Sequence, residues 1–309
     1  MASGPYILWE ATRNQDAGTW PTTTYGGFTP TIDLLIVAGG GTGGLVTINR
    51  GGGGGAGGLI YVSSVPVTSV TSYTVTVGGG GTSTSGTTVA NGSNSVFSGA
   101  GRTLTAMGGG SGGYNDNTNN ATVGGSGGGQ WYPAYTGAAS NQPVNTNDGI
   151  STYPNTGWGN KGGDSSTSQP YGGGGGGAGS AGANWNGVNG PVGGLGKSYD
   201  ISGTNTTYAG GGGAAGYPPN GGVVYFDNAN YGGLGGGGTG NNSAYNTLAN
   251  GANNTGGGGG SGGSGGSGIV IIRYPDVHPV PSSVVGAQTP VVTGGYRIYK
   301  WTSSGSITF

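Results

Sequence analysis

Few side chains in this sequence could carry out a reaction. The single histidine, His278, is the only one that ordinarily titrates near neutral pH. It lies in the proline-rich stretch PDVHPVP, and no Ser-His-Asp arrangement is legible around it. Asp148 and Asp164 share one long connection and could in principle act as a glycosidase pair. Turn formation and hydrogen bonding are the roles that their Asn-, Ser- and Gly-rich surroundings favour. The nine acidic residues occur singly, so no metal-ligand set is legible and no cofactor is expected. Matches to GxGxxG abound, but without a βαβ unit they carry no phosphate-site meaning. The sequence reads as a protein that is not an enzyme.

Recognition chemistry is better supplied. The chain holds 18 Tyr, 6 Trp and 4 Phe. Trp131, Tyr132, Tyr135, Tyr153, Trp158, Tyr217, Tyr231 and Tyr245 lie in segments that are also rich in Asn, Ser and Thr, as do Tyr171 and Trp185. Antibody binding loops have this composition, with rigid rings supplying area and small polar groups supplying hydrogen bonds. One reading has these rings stacking on sugars or on an outer-membrane protein, with Asn and Asp binding hydroxyls. The other has them packing over the core and sealing its ends. Lys161 and Lys197 read as solvated loop charges. In residues 1–30, Trp9, Arg13 and Trp20 suit either docking to a partner or a flap over the core.

The segments that must position these residues are dominated by glycine, 83 residues in a chain of 309. Ten clusters recur, at 38–44, 51–58, 78–81, 108–113, 124–129, 172–179, 193–196, 210–216, 232–240 and 256–268. A polyproline-II-type helix has about three residues per turn and no internal hydrogen bonds, so its amides and carbonyls all point outward. Without side chains, such helices can pack side by side and bond to their neighbours, helped by Cα–H···O contacts. Side chains that interrupt the runs must then be small, as Thr42, Ala56, Ser111, Ser126, Ala178 and Ser261 are. Leu195 and Leu234 break that rule and are expected to face outward or onto a strand.

Apolar runs bracket the clusters. Residues 32–37 (IDLLIV) and 269–274 (IVIIRY) read as strands that pair with each other. Residues 59–68 and 72–77 alternate and read as a hairpin or meander, and 96–97 and 104–107 as short strands. No capped helical period is present. The expected fold is mostly β and irregular: a bundle of short polyglycine-II helices bracketed by strands, with long surface loops. Residues 1–30 form a docking or covering segment, 31–275 the glycine-rich domain, and 276–309 a C-terminal β tail. That tail is either a small appendage or strands that join a neighbouring subunit.

Composition excludes several classes. A net charge of −1 with only 6% charged residues argues against nucleic-acid binding. Disordered chains are usually highly charged and poor in aromatics, unlike this one. There is no strict Gly-X-Y period, so collagen is excluded. Cysteine is absent, no secretory signal is legible at the N-terminus, and no apolar stretch is long enough to span a bilayer.

The strand LLIVAGGG, the motifs SYTVTVGGGG and TYAGGGG, the closing SGGSGIVIIRYP and the ending GGYRIYKWTSSGSITF together resemble the glycine-rich domain of bacteriophage tail-fibre and other virion proteins. The pattern is also similar to the polyglycine-II sandwich of tail-fibre tip adhesins. The resemblance covers residues 32–309 and implies host recognition at a virion extremity. It transfers no named binding residues, because the loops of such proteins vary. The expectation is therefore a tail-fibre tip adhesin on the virion surface that binds a bacterial glycan or outer-membrane protein. The alternative is a structural virion protein, a capsid decoration or fibre subunit, whose loops contact other virion proteins or further copies of itself.

Overall fold

The computed structural model describes residues 31–44, 51–83, 89–114, 120–131, 136–144, 146–147, 152–153, 156–166, 171–185, 191–215, 232–240 and 250–309. The fold is all-β with one nearly closed antiparallel sheet, and the described residues contain no helix. The strands are β1 (Thr31–Val37), β2 (Leu59–Pro66), β3 (Ser72–Thr76), β4 (Ser95–Gly99) and β5 (Arg102–Ala106). Three two-residue strands follow, β6 (Thr146–Asn147), β7 (Thr152–Tyr153) and β8 (Gly157–Trp158), and then a hairpin of β9 (Lys197–Tyr199) and β10 (Thr206–Tyr208). The last are β11 (Ile269–Pro275), β12 (Ser283–Ala287), β13 (Val291–Thr293) and β14 (Tyr296–Thr308).

The main sheet runs β5-β4-β3-β14-β11-β1-β2-β8, and it curls so that β4 and β5 approach β1 and β2. Alternation along β1 divides the interior in two. Ile32, Leu34 and Ile36 join Val62, Phe97, Ile272, Tyr274 and Trp301 inside the curl. There Tyr73 stacks on Phe97 at 5.1 Å, and Phe309 meets Tyr73 and Tyr274 edge-on. Leu35 and Val37 point the other way, toward Leu59, Ile271, Ile201 and Tyr208.

That second cluster is where the glycine runs meet the sheet. It also takes in Ala56, Ala178 and Ala209, alanines that lie in or beside three different runs. Beyond it the runs form a lattice of backbone hydrogen bonds with a period of three. From 52 to 58, amides 52, 55 and 58 donate to carbonyls 113, 110 and 107. Amides 53 and 56 donate to 173 and 176, and amides 54 and 57 to 259 and 256. Carbonyls of the same run accept from three further neighbours: amides 38, 41 and 44; 126 and 129; and 212 and 215. The run 51–58 is thus buried amid six others.

The small interruptions take part in this network. Thr42, Ser111, Ser126 and Ser261 are almost fully buried. The Thr42 hydroxyl accepts from the Ala90 amide at 3.0 Å, and that of Ser261 donates to the Gly44 carbonyl at 3.1 Å. Carboxamide side chains fill positions where no backbone carbonyl arrives. In the run 108–113, amides 109 and 112 address one neighbour and 110 and 113 another, while 108 and 111 donate to the side chains of Asn94 and Asn91. Leu195 and Leu234 are 50% and 69% exposed, so both face outward.

The bracketing strands pair as expected, with Asp33 opposite Arg273 and Val37 opposite Ile269. Two expectations need correction. Residues 59–66 and 72–76 are both strands but form no hairpin, because β2 pairs with β1 and β8 whereas β3 pairs with β4 and β14. The segment after residue 275 is no appendage. Its strand β14 inserts between β11 and β3 and buries Trp301, Ile307 and Phe309. Burying these large side chains outweighs the local preference of 59–77 to fold back on itself.

Candidate functional site

The outer face of the sheet carries a strip where aromatic and charged side chains gather. β8 pairs with the edge of β2 and sets Trp158 beside the second core cluster, where it stays half-buried. The β9–β10 hairpin lies across that cluster through Tyr208. Its first strand places Lys197 Nζ 3.6 Å from the centre of the Trp158 ring. Two residues on, and so on the same side of the strand, Tyr199 stacks on Tyr61 at 4.6 Å. The strip continues to Arg273, whose guanidinium lies 4.6 Å from the centre of the Tyr296 ring.

Arg273 is the hub of the charges. Its Nε and Nη2 donate to Asp33 Oδ2 at 3.3 and 3.0 Å, and its Nη1 donates to Asp200 Oδ1 at 3.2 Å. The Arg273 and Asp33 side chains are 12% and 21% exposed, whereas Asp200 is 78% exposed. This network ties the hairpin end at Asp200 to β1 and β11. Lys197 has no carboxylate partner among the described residues. Burial, with a further contribution from Tyr61, pushes the Tyr199 hydroxyl up to about 12. Tyr61 is raised by burial and then by the Asp33 charge. Both rings therefore remain neutral hydrogen-bond donors across the physiological range.

A second polar cluster secures a loop. Asp164 accepts from Lys161 at 2.7 Å and from the Gly137 amide at 2.8 Å, and its own amide donates to Asn184 at 2.7 Å. Burial works against the Asp164 charge, but the hydrogen bonds from Lys161 and Gly137 prevail and hold its pKa below the usual carboxylate value. Asp164 is thus a tether, and Asp148 lies outside the described residues. The two lysines are not free loop charges: Lys161 pairs with Asp164 and Lys197 covers a tryptophan. Burial lowers the His278 pKa. The described residues contain no group of three His, Cys, Asp or Glu that could hold a metal ion.

The aromatic residues expected to bind a ligand are distributed unevenly. Trp158 is in the strip. Trp131 is only 4% exposed, so its ring packs inside the protein and is not presented at the surface. Tyr171, equally buried, stacks on Trp185 at 3.8 Å, which is the sealing role. The backbone of Tyr153 lies in β7, and its side chain is outside the description. Tyr132, Tyr135, Tyr217, Tyr231 and Tyr245 lie outside the described residues, as do Trp9, Arg13 and Trp20. The sequence reading did not single out Tyr61, Tyr199, Asp33, Asp200 or Arg273. A signal for two of them was present: Asp33 and Arg273 each interrupt one of two apolar runs already expected to pair.

The chain matches a family described as a glycine-rich domain over residues 14–275. No curated protein and no solved structure matches the chain.

Proposed function

We propose that this chain, which belongs to the glycine-rich domain family, acts as the adhesin at the tip of a bacteriophage tail fibre and recognises the bacterial host surface. The observation that carries the reading is the way the lattice holds the bases of the long connections. Between residues 131 and 160, for example, the chain leaves one glycine run and returns beside it. The Gly127 and Gln130 amides then donate to the carbonyls of Asn160 and Gly163. A binding segment held at both ends by a rigid scaffold loses less conformational freedom when it captures a ligand. The resemblance of the bracketing motifs to virion glycine-rich domains points the same way.

In this reading the protein sits on the virion surface. Its N-terminal residues Trp9, Arg13 and Trp20 dock to another fibre protein, and its aromatic side chains contact a surface glycan or an outer-membrane protein. The test is binding of the fluorescently labelled protein to a panel of bacterial strains, with and without their surface polysaccharide. Saturable binding to a narrow set of strains is expected. Folded protein that binds no strain would overturn the proposal.

One observation favours a structural virion protein instead. Along β12 and β13, Val284, Val285, Val291 and Val292 are between 36% and 56% exposed. A row of exposed valines on an outer strand suits contact with another subunit. In that case the purified protein assembles with itself or onto particles and never binds cells.

A further inference from the structure

The strip from Trp158 to Arg273 combines fixed aromatic area with charge. Its rings are half-buried and fixed by packing against the second core cluster, so they offer area at little entropic cost. Its charges are unevenly satisfied. Arg273 is matched by Asp33 and Asp200, while Lys197 lies over the electron-rich face of Trp158 and meets no carboxylate among the described residues. Asp200 is largely exposed and bonds Arg273 through Oδ1, and a carboxylate so placed retains lone pairs that can accept from a hydroxyl. The strip therefore presents, in order, a cation without a carboxylate partner among the described residues, two stacked phenol rings and an exposed acceptor. Lys197 and Tyr199 are two residues apart on one strand, a step of about 7 Å, and the Tyr61 ring is stacked 4.6 Å from that of Tyr199.

We propose that this strip is a binding subsite for an acidic oligosaccharide. Lys197 takes the carboxylate or phosphate of one sugar, while Tyr199 and Tyr61 lie along the next and Asp200 accepts from its hydroxyls. A neutral sugar would leave Lys197 without its counter-charge, and a bare anion would leave the rings unused. The strip thus favours a chain that carries both functions. The inference deepens the adhesin reading and rests on it, because it names the class of surface glycan that such a protein would take.

Two measurements on the full chain test it. Calorimetric titration with trigalacturonate is expected to show binding that maltotriose does not match. Lys197→Met keeps the apolar stem over Trp158 and removes the charge, and should weaken trigalacturonate at least tenfold. Lys197→Arg should restore most of the affinity, a rescue that a purely structural lysine would not show. Glucose-6-phosphate, run in parallel, distinguishes a phosphate from a carboxylate as the preferred anion; a response to either that depends on Lys197 supports the proposal. Equal affinity of wild type and Lys197→Met for these probes, or no binding of either, overturns it.

The second measurement is binding of the same variants to cells. Wild type that binds cells, with Lys197→Met unchanged, sinks the subsite and leaves the adhesin reading standing. Failure of wild type to bind any strain sinks the adhesin reading itself.

Discussion

At the scale of single residues, one position requires glycine for space and another would accept it for conformation. Gly53 sits in the innermost run, and a Cβ there would come closer than 3.0 Å to the carbonyl of Gly212 and the amide nitrogen of Gly175. Backbone on both sides cannot swing away as a side chain could. Gly53→Ala should therefore cost about 3 kcal/mol, the upper part of the overpacking range. Leu195→Ser, on an exposed side chain of another run, should stay within about 0.5 kcal/mol of wild type. Chemical denaturation of the two variants checks the contrast, and comparable losses would contradict the lattice. Val70 is the reverse case, a β-branched residue at φ 52° that is 84% exposed. That conformation is strained for valine and free for glycine. Nothing packed is lost on replacement, so Val70→Gly should raise the melting temperature, with a gain of about 1 kcal/mol in stability.

Among the elements, the two bracketing strands were the most readable part of the sequence. A run of branched apolar residues is the mark of a strand buried on both faces, and β1 and β11 are such strands, each broken by one charged residue, Asp33 or Arg273. Their partners were less readable. β3 and β14 come together only because both can bury aromatic side chains against the same interior, and local pattern does not encode that choice. The site was legible in part. Trp158 was identified by its company of polar residues, but Tyr61 and Tyr199 looked like ordinary strand residues until the sheet placed them together. Trp131 misled because a tryptophan among tyrosines and prolines has the composition of a binding loop even when the fold buries it.

The tether at Asp164 also belongs to this scale, and it makes a prediction in pH. Its folded pKa lies below the ordinary value of 3.8, so the deprotonated form stabilises the fold. That contribution is present in full well above 3.8 and is lost as pH falls through the depressed folded value. Hydrogen exchange at the Gly137 amide, corrected for its intrinsic pH dependence, should accelerate over that acid window. In Asp164→Asn the acceleration should disappear.

The molecule as a whole places its most protected backbone in an unusual location. Run 51–58 has neither helix nor sheet ladder, yet all its residues are buried and its groups are bonded to six surrounding segments. Opening any of those bonds requires displacing a neighbour that is itself held on other sides. The amides of Gly52 to Gly58 should therefore exchange as slowly as those of β1, measurable by native-state exchange with mass spectrometry. Exchange on the timescale of surface loops would show that the lattice is loose. The alternation of tight lattice and polar connections also explains how so little side-chain hydrophobicity can hold a large domain: the backbone supplies contacts that side chains supply elsewhere.

The pairing of β1 with β11 has a consequence for time. Asp33 and Arg273 are 240 positions apart, and the innermost glycine run draws partners from residues 38 to 259. Chains dominated by such distant contacts fold slowly, because the entropy of closing long loops is lost before the contacts form. During synthesis β1 leaves the ribosome long before β11, one of its two partners, exists. Even when paired with β2, it must wait with its other edge open while more than two hundred further residues are made. At about 5–20 residues per second that interval is on the order of tens of seconds, long enough for other proteins in the cell to reach the strand first. High-level production of this chain should therefore be limited by early aggregation, whatever the stability of the finished fold.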